Sequence, residues 1–488
     1  MTTPREIASP LARRRPISPR VLQVATWGAV ALLAALALAK LPTSFERLTT
    51  WSKWGATDLH LRFDETRAWF MGFWLRGAVY PPASQTLLWP AVGWLPFPRV
   101  RFLWAALSFG SLAWLSWICA RECGLRSTAG KAASALLPLA ASSTASAVGI
   151  GQIVPLFLPL VSTAVLWMAR GSSRWADSVG AAVLFTVASV KPTLFAPFAW
   201  LVLLLPRSFR PALLSGTFYV ALTMVALAAM RPVGKNWTLA QRIASELSRK
   251  TQWATSAAPP ASKATKPPRV GAGAKAQVGA GPKAAAAPKT AARPGAGASP
   301  QVAARPKVGG RPAPSSDYRT RFGGGYGNLQ NMSQDAGMVG LQNFVLPIAS
   351  VLACGAWLFR RRRTDPWILL GVCAIAARMG WYHRFYDDML LVLPVIALIR
   401  ILGSRGTPGG AVDRTARIAA ILLAATLAHL LAPGVVHGRI GPWMDTAAAW
   451  VWFADLLFLA NVASSLGPAC PEGADSSIAG RLAATGIA

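Results

Sequence analysis

Acidic residues are scarce in this chain: 18 Asp and Glu stand against 50 Lys and Arg in 488 residues, for a formal net charge of +32. Such an excess would suit a nucleic-acid binder, but its distribution argues against one. Between Glu246 and Asp317 there is no acid at all, while twelve positive charges fall within "GAGAKAQVGAGPKAAAAPKTAARPGAGASPQVAARPKVGGRP" and its flanks. Ala, Pro, Gly and Lys offer almost nothing to bury, so residues 249–316 are expected to form a disordered basic insert, and no nucleic-acid partner is expected. Cysteine is equally sparse. Cys119 and Cys123 are four apart with no His or Cys partner nearby, which is not zinc spacing, so inert buried thiols are expected. Gly323–Gly325 in "RFGGGYGN" has no Lys-Ser/Thr behind it and no strand before it, so it is not read as a phosphate cradle. No nucleotide site is visible, no cofactor is expected, and no ligand cluster calls for a metal.

Charged residues make up only 14% of the chain, whereas 53% is hydrophobic and 21 residues are Trp. The apolar residues gather in runs of roughly 15 to 20, the length that a hydrocarbon layer of about 30 Å asks of a helix. An all-α polytopic membrane protein of about twelve spans is expected. The first run, 21–41, follows a basic N-terminus and lacks a small-residue cleavage site, so it reads as an uncleaved span. The others are 102–120, 132–149, 152–169, 175–190, 193–206, 211–230, 343–359, 366–380, 386–400, 418–433 and 446–466. The segment 83–97, "ASQTLLWPAVGWLPF", is brief and broken by Pro90 and Pro96, and is expected to be re-entrant or interfacial.

Charge settles the sidedness, because Lys and Arg of short loops collect on the cytoplasmic side. With 83–97 not crossing, the N-terminal arginines, "RECGLRSTAGK", "RGSSR", "PRSFR", Arg360–Arg363 and the 400–417 loop all face the cytoplasm. The expected divisions are a cytoplasmic N-terminus (1–20), an N-terminal membrane half (21–248) with an outer loop at 42–82, the insert (249–316), a C-terminal membrane half (317–466) and a tail (467–488). The insert falls outside, where long translocated segments escape the charge rule and a basic chain can associate with anionic lipid or polymer.

This topology brings "GIGQIVP" (149–155), "VKPT" (190–193), "NLQNMSQDAG" (328–337) and "WYHRFYDD" (381–388) to the same face as "TDLHLRFDETRAWF" (57–70), although none of them sets it. Charges at a membrane boundary must be solvated, paired or used. Asp58, Arg62 and Glu65 sit at helical spacings that allow pairing, and a plain amphipathic interfacial helix would produce the same pattern.

The motifs "TDLHLRFDETRAWFMG", "YPPASQTLLWPAVGWLP", "GQIVPLFLPL", "VKPT" and "HRFYDDMLLVLP", in this order, resemble glycosyltransferase family 87. That family comprises type C membrane glycosyltransferases, among them polyprenyl-phosphate-mannose-dependent mannosyltransferases. The short stretch from Gly72 to Tyr80 and the basic insert depart from its pattern. The resemblance implies an inverting hexosyltransferase of the plasma (inner) membrane. It would move a hexose, mannose by expectation, from a polyprenyl-phosphate sugar to a glycolipid or glycan acceptor on the extracytoplasmic face. It also implies an Asp in the first outer loop as general base, and Asp58 is the residue that matches, with Asp64 and Glu65 as fallbacks. His383 resembles a late-chain histidine of some members, though beside Trp381 and Tyr382 it could equally be interfacial. Arg384, Arg378 and Lys191 are candidates to meet the charge of a departing lipid phosphate, Lys191 alternatively snorkelling. Gln152 is a candidate for a sugar hydroxyl or a turn cap, and Asp387 for a helix cap or for orienting His383. Tyr80, Pro81 and Pro82 are expected to shape the loop. A transporter or lipid-carrier flippase would share the span count, but no repeat relates the two halves.

Overall fold

A computed structural model describes residues 18–50, 55–72, 80–170, 174–206, 208–230, 344–380, 385–404, 414–433 and 442–465, with isolated positions at 241, 329 and 342. The basic insert, Gly323–Gly325, His383, Arg384, Cys470 and the C-terminal tail lie outside the described residues, as does most of the N-terminus. Among the described residues the regular elements are helices, with no strand. In chain order they are α1 (Pro19–Thr49), α2 (Thr57–Phe70), α3 (Pro82–Val92), α4 (Phe97–Glu122), α5 (Thr128–Ala140), α6 (Ser142–Ile150), α7 (Val154–Ala169), α8 (Trp175–Ala188), α9 (Pro192–Leu204), α10 (Phe209–Ala229), α11 (Val345–Arg361) and α12 (Pro366–Gly380). A 3-10 helix (Phe385–Leu391) follows, then α13 (Val392–Ser404), α14 (Arg414–Leu431) and α15 (Pro442–Ser465).

Four of these, α1, α4, α10 and α14, are each long and apolar enough to cross a membrane, and α5 with α6 makes a fifth as a pair bent by 44°. The twelve full-length spans expected from hydropathy are therefore not all present as such. Several are apolar helices of 10–17 residues, such as α7, α8, α9 and α12. The expected span 132–149 is broken at Ala141, whose backbone is extended. Pro138, three residues earlier, removes one helical N–H. A broken helix at membrane depth needs substitutes for its lost backbone bonds. Lys40 of α1 supplies them: its Nζ donates to the Ala140 carbonyl (3.1 Å), to Ser142 Oγ (2.7 Å) and to the Leu431 carbonyl at the end of α14 (3.0 Å). The expected span 386–400 opens as the 3-10 helix before turning α-helical at Val392.

Proline at the first turn starts α3, α4, α7 and α9, where a missing N–H costs nothing. Eleven residues give α3 a length of only about 16 Å at 1.5 Å per residue, roughly half a hydrocarbon thickness. It is wedged between α2 and α10. The centre of the molecule is α12, apolar on every side but for Arg378 in its last turn, so that nearly every one of its residues is buried. Around it pack α7, α9, α11, α13, α15 and the 3-10 helix. By contrast α1 and α10 turn long apolar faces outward, with Leu38 at 74% and Phe209 at 77% exposure, as suits helices bordered by lipid. Cys119, Cys123, Cys354 and Cys373 are free and buried.

Candidate active site

Fourteen residues make α2 too short to be stable alone, so its position is fixed by packing. Leu59, Phe63, Thr66 and Trp69 form its buried stripe. Trp69 Nε1 donates to the Ala226 carbonyl of α10 (2.9 Å), Thr66 Oγ1 to Gln85 Oε1 of α3 (3.0 Å), and Arg67 Nε to the Gly93 carbonyl beyond α3 (3.1 Å). At the other end the Ala56 N–H donates to the Gly149 carbonyl at the end of α6 (3.0 Å). The start of α2 is thereby seated on the end of α6. Gly151 makes this possible: its φ is +74°, and a Cβ there would lie 2.5 Å from Leu59 Cβ. Glycine alone gives both the left-handed turn and the close approach. Directly after that turn, the Gln152 side-chain amide donates to Asp58 Oδ2.

Asp58, Arg62 and Glu65 repeat at helical spacing along one stripe of α2. Arg62 pairs with the buried Glu65, and its guanidinium lies 4.1 Å over the Tyr80 ring. Asp64 is on the opposite, exposed side, with His60 4.0 Å away. Of the three acids of α2, only Asp58 is both half-buried and held by a neutral donor. Tyr80 is 7% exposed, and burial pushes its phenol above the ordinary value of 10.0, opposed by the charges of Lys191 and Arg62 and reinforced by those of Asp58 and Asp387. One tyrosine thus marks the point where two cations and two carboxylates from distant parts of the chain come together.

Lys191 caps the start of α9 ahead of Pro192, and its Nζ donates to Asp387 Oδ1 (2.9 Å) and lies 5.6 Å from the Tyr386 ring. The next residue points elsewhere. Asp388 Oδ1 accepts from Arg378 Nε, and Asp388 Oδ2 is 3.0 Å from His429 Nε2 of α14. The Arg378 guanidinium lies 4.5 Å over Trp452 of α15, and Trp452 meets the His429 ring edge-on at 5.4 Å. One turn along α14 and α15, Thr426 Oγ1 donates to Asp455 Oδ2 (2.7 Å). The tight winding of a 3-10 helix, three residues per turn, separates consecutive side chains by a third of a revolution, so Asp387 and Asp388 serve two clusters.

Asp58, Gln152, Arg62, Lys191 and Asp387 are therefore brought to one place around Tyr80. Arg378 is not: it is buried in the second cluster, paired with Asp388. Lys191 is an ion-pair partner rather than a snorkelling side chain. Gln152 binds Asp58, and Asp387 pairs with Lys191 from the first turn of the 3-10 helix, while His383, its other expected partner, lies outside the described residues. Sequence reasoning missed the central place of Tyr80, the pairing of Asp388 with His429, and Lys40. A lone lysine in an otherwise uncharged run was a legible signal for the last. Among the described residues no group of three or more His, Cys, Asp or Glu could hold a metal ion.

Fold and site define a helical membrane protein that presents a carboxylate and cations at the mouth of its helices. Residues 78–258 match the model of Glycosyltransferase family 87, and over that segment the chain is similar to this family of glycosyltransferases. The matched segment carries Tyr80, Gln152 and Lys191; Asp58 and Arg62 precede it, and Arg378 and Asp387 follow it. No curated protein and no solved structure matches the chain.

Proposed function

We propose that the chain transfers a hexose, mannose by preference, with inversion, from a polyprenyl-phosphate sugar to a lipid or glycan acceptor at the extracytoplasmic face of the plasma membrane. The acceptor hydroxyl attacks the anomeric carbon and gives its proton to Asp58. The bond from that carbon to the phosphate oxygen breaks with its electron pair staying on the polyprenyl phosphate. Direct displacement inverts the anomeric centre. A positioned base of this kind contributes roughly 10²–10⁴-fold. Gln152 holds one carboxylate oxygen and leaves the other to the incoming hydroxyl. Lys191 and Arg62 are fixed cations for the charge that grows on the phosphate, the arrangement that stabilises a transition state more than a ground state. His383 and Arg384, a few residues before Asp387 in the sequence, act on the same phosphate in this reading.

The observation that carries the proposal is the Gln152–Asp58 contact, which seats a half-buried carboxylate beside the cluster around Tyr80. The test is incubation of purified protein with radiolabelled polyprenyl-phosphate sugars and native membrane lipids, and identification of the labelled product. Labelled lipid-linked product that requires Asp58 supports it. Movement of the lipid-linked sugar across the bilayer with no transfer would overturn it in favour of a flippase.

A further inference from the structure

Far from the cluster around Tyr80, α9 ends, α10 begins and α11 arrives. Lys191 caps one end of α9, and its 13 residues put the far end about 20 Å away. Here a groove of about 890 Å³ opens, walled by Leu203, Phe209, Leu213 and Gly216 and bounded at one side by Arg362 and Arg363. Its apolar wall is turned outward, with Leu203 57%, Leu213 60% and Phe209 77% exposed. Gly216 borders the hollow, and an added Cβ there would meet nothing within 4 Å. Both arginines are exposed, no acid is among the described residues that line the groove, and the Arg362 guanidinium lies 5.1 Å from the Phe359 ring.

We propose that this groove is a binding site for an anionic phospholipid, with an acyl chain along α10 and the phosphate headgroup on Arg362 and Arg363. An apolar trough suits any acyl chain. The arginines add the choice of headgroup, because a guanidinium offers paired N–H donors to phosphate oxygens, and a net negative headgroup keeps the attraction that a zwitterionic one largely cancels. Basic pockets between helices at the cytoplasmic boundary recognise lipid in this way. Bound there, the lipid would join α9, α10 and α11 at the end remote from the chemistry.

The test is native mass spectrometry of delipidated protein given equal amounts of phosphatidylglycerol and phosphatidylcholine with the same acyl chains. Phosphatidylglycerol should be retained at least fivefold better. The double variant Arg362→Gln/Arg363→Gln should abolish that preference, and Gly216→Leu, which fills open space, should lower retention of both lipids. Equal retention of the two lipids by the unaltered protein would overturn the proposal. So would an undiminished preference in the double variant, or displacement of phosphatidylglycerol by inorganic phosphate or by polyprenyl phosphate at equal concentration.

Discussion

Asp58 and Asp388 are both aspartates near the ends of helices in a membrane protein, yet their surroundings are opposites. Asp388 is 2% exposed, with Arg378 on one oxygen and His429 on the other. Asp58 is half-buried, and one of its oxygens is held by an uncharged amide. A carboxylate with a side chain on each oxygen has no room for an incoming hydroxyl, whereas one steadied on a single side keeps a lone pair for a proton. The closed cluster joins α12, α14, α15 and the 3-10 helix, and the open one gathers α2, Tyr80, the turn at Gly151 and the start of α9. Asp387 and Asp388 connect them, because fixing the rotation of the 3-10 helix through Asp388 also aims Asp387 at Lys191.

The contrast breaks first at Asp58→Asn. The amide keeps shape and burial but cannot take a proton, so transfer should fall by roughly 10²–10⁴-fold while gel filtration and melting stay unchanged. Transfer within threefold of the unaltered protein would remove Asp58 from the chemistry. Asp388→Asn should do the reverse. It leaves the Arg378 charge buried without its partner, a loss of about 3–5 kcal/mol of stability, read as a lower melting temperature in detergent. An unchanged melting temperature would show that the closed cluster is dispensable.

Gly151→Ala should couple the two readouts more mildly. Forcing an ordinary residue into the left-handed turn costs about 1–2 kcal/mol, and the new methyl presses on Leu59, moving Gln152 off Asp58. Transfer should drop about tenfold, comparable to Gln152→Ala in a transfer assay normalised to folded protein. Smallest is the pH effect of Tyr80. Its phenol is raised in the folded state, so its contribution to stability is intact below the unfolded value near 10 and is lost as pH climbs through the folded value. Melting temperatures from pH 8 to 11 should fall less steeply in Tyr80→Phe than in the unaltered protein.

Much of the architecture was legible because lipid demands a simple code: long apolar runs, and charges only where they are paired or used. That code located the helices and drew attention to the outer-loop acids. Of the twelve spans it marked, four helices and one bent pair are long enough among the described residues, and hydropathy does not register a break such as Ala141, where Lys40 from another helix replaces the lost bonds. It also could not separate Asp58 from Asp64 and Glu65, which differ only in the side of α2 on which they fall. That side is decided by Trp69, Phe63 and Leu59 meeting α10, the start of α4 and the turn after α6.

By itself the sequence determined the all-helical membrane class, the helix starts set by proline, the glycine turn at Gly151 and the family motifs, since each depends on a residue's own chemistry or on its near neighbours. Only the tertiary structure decided which charges meet. Asp58 and Gln152 are 94 positions apart, and Lys191 and Asp387 are 196 apart. Contacts at such separations arise when helix packing closes the loops between them, and nothing local to either residue encodes the partner.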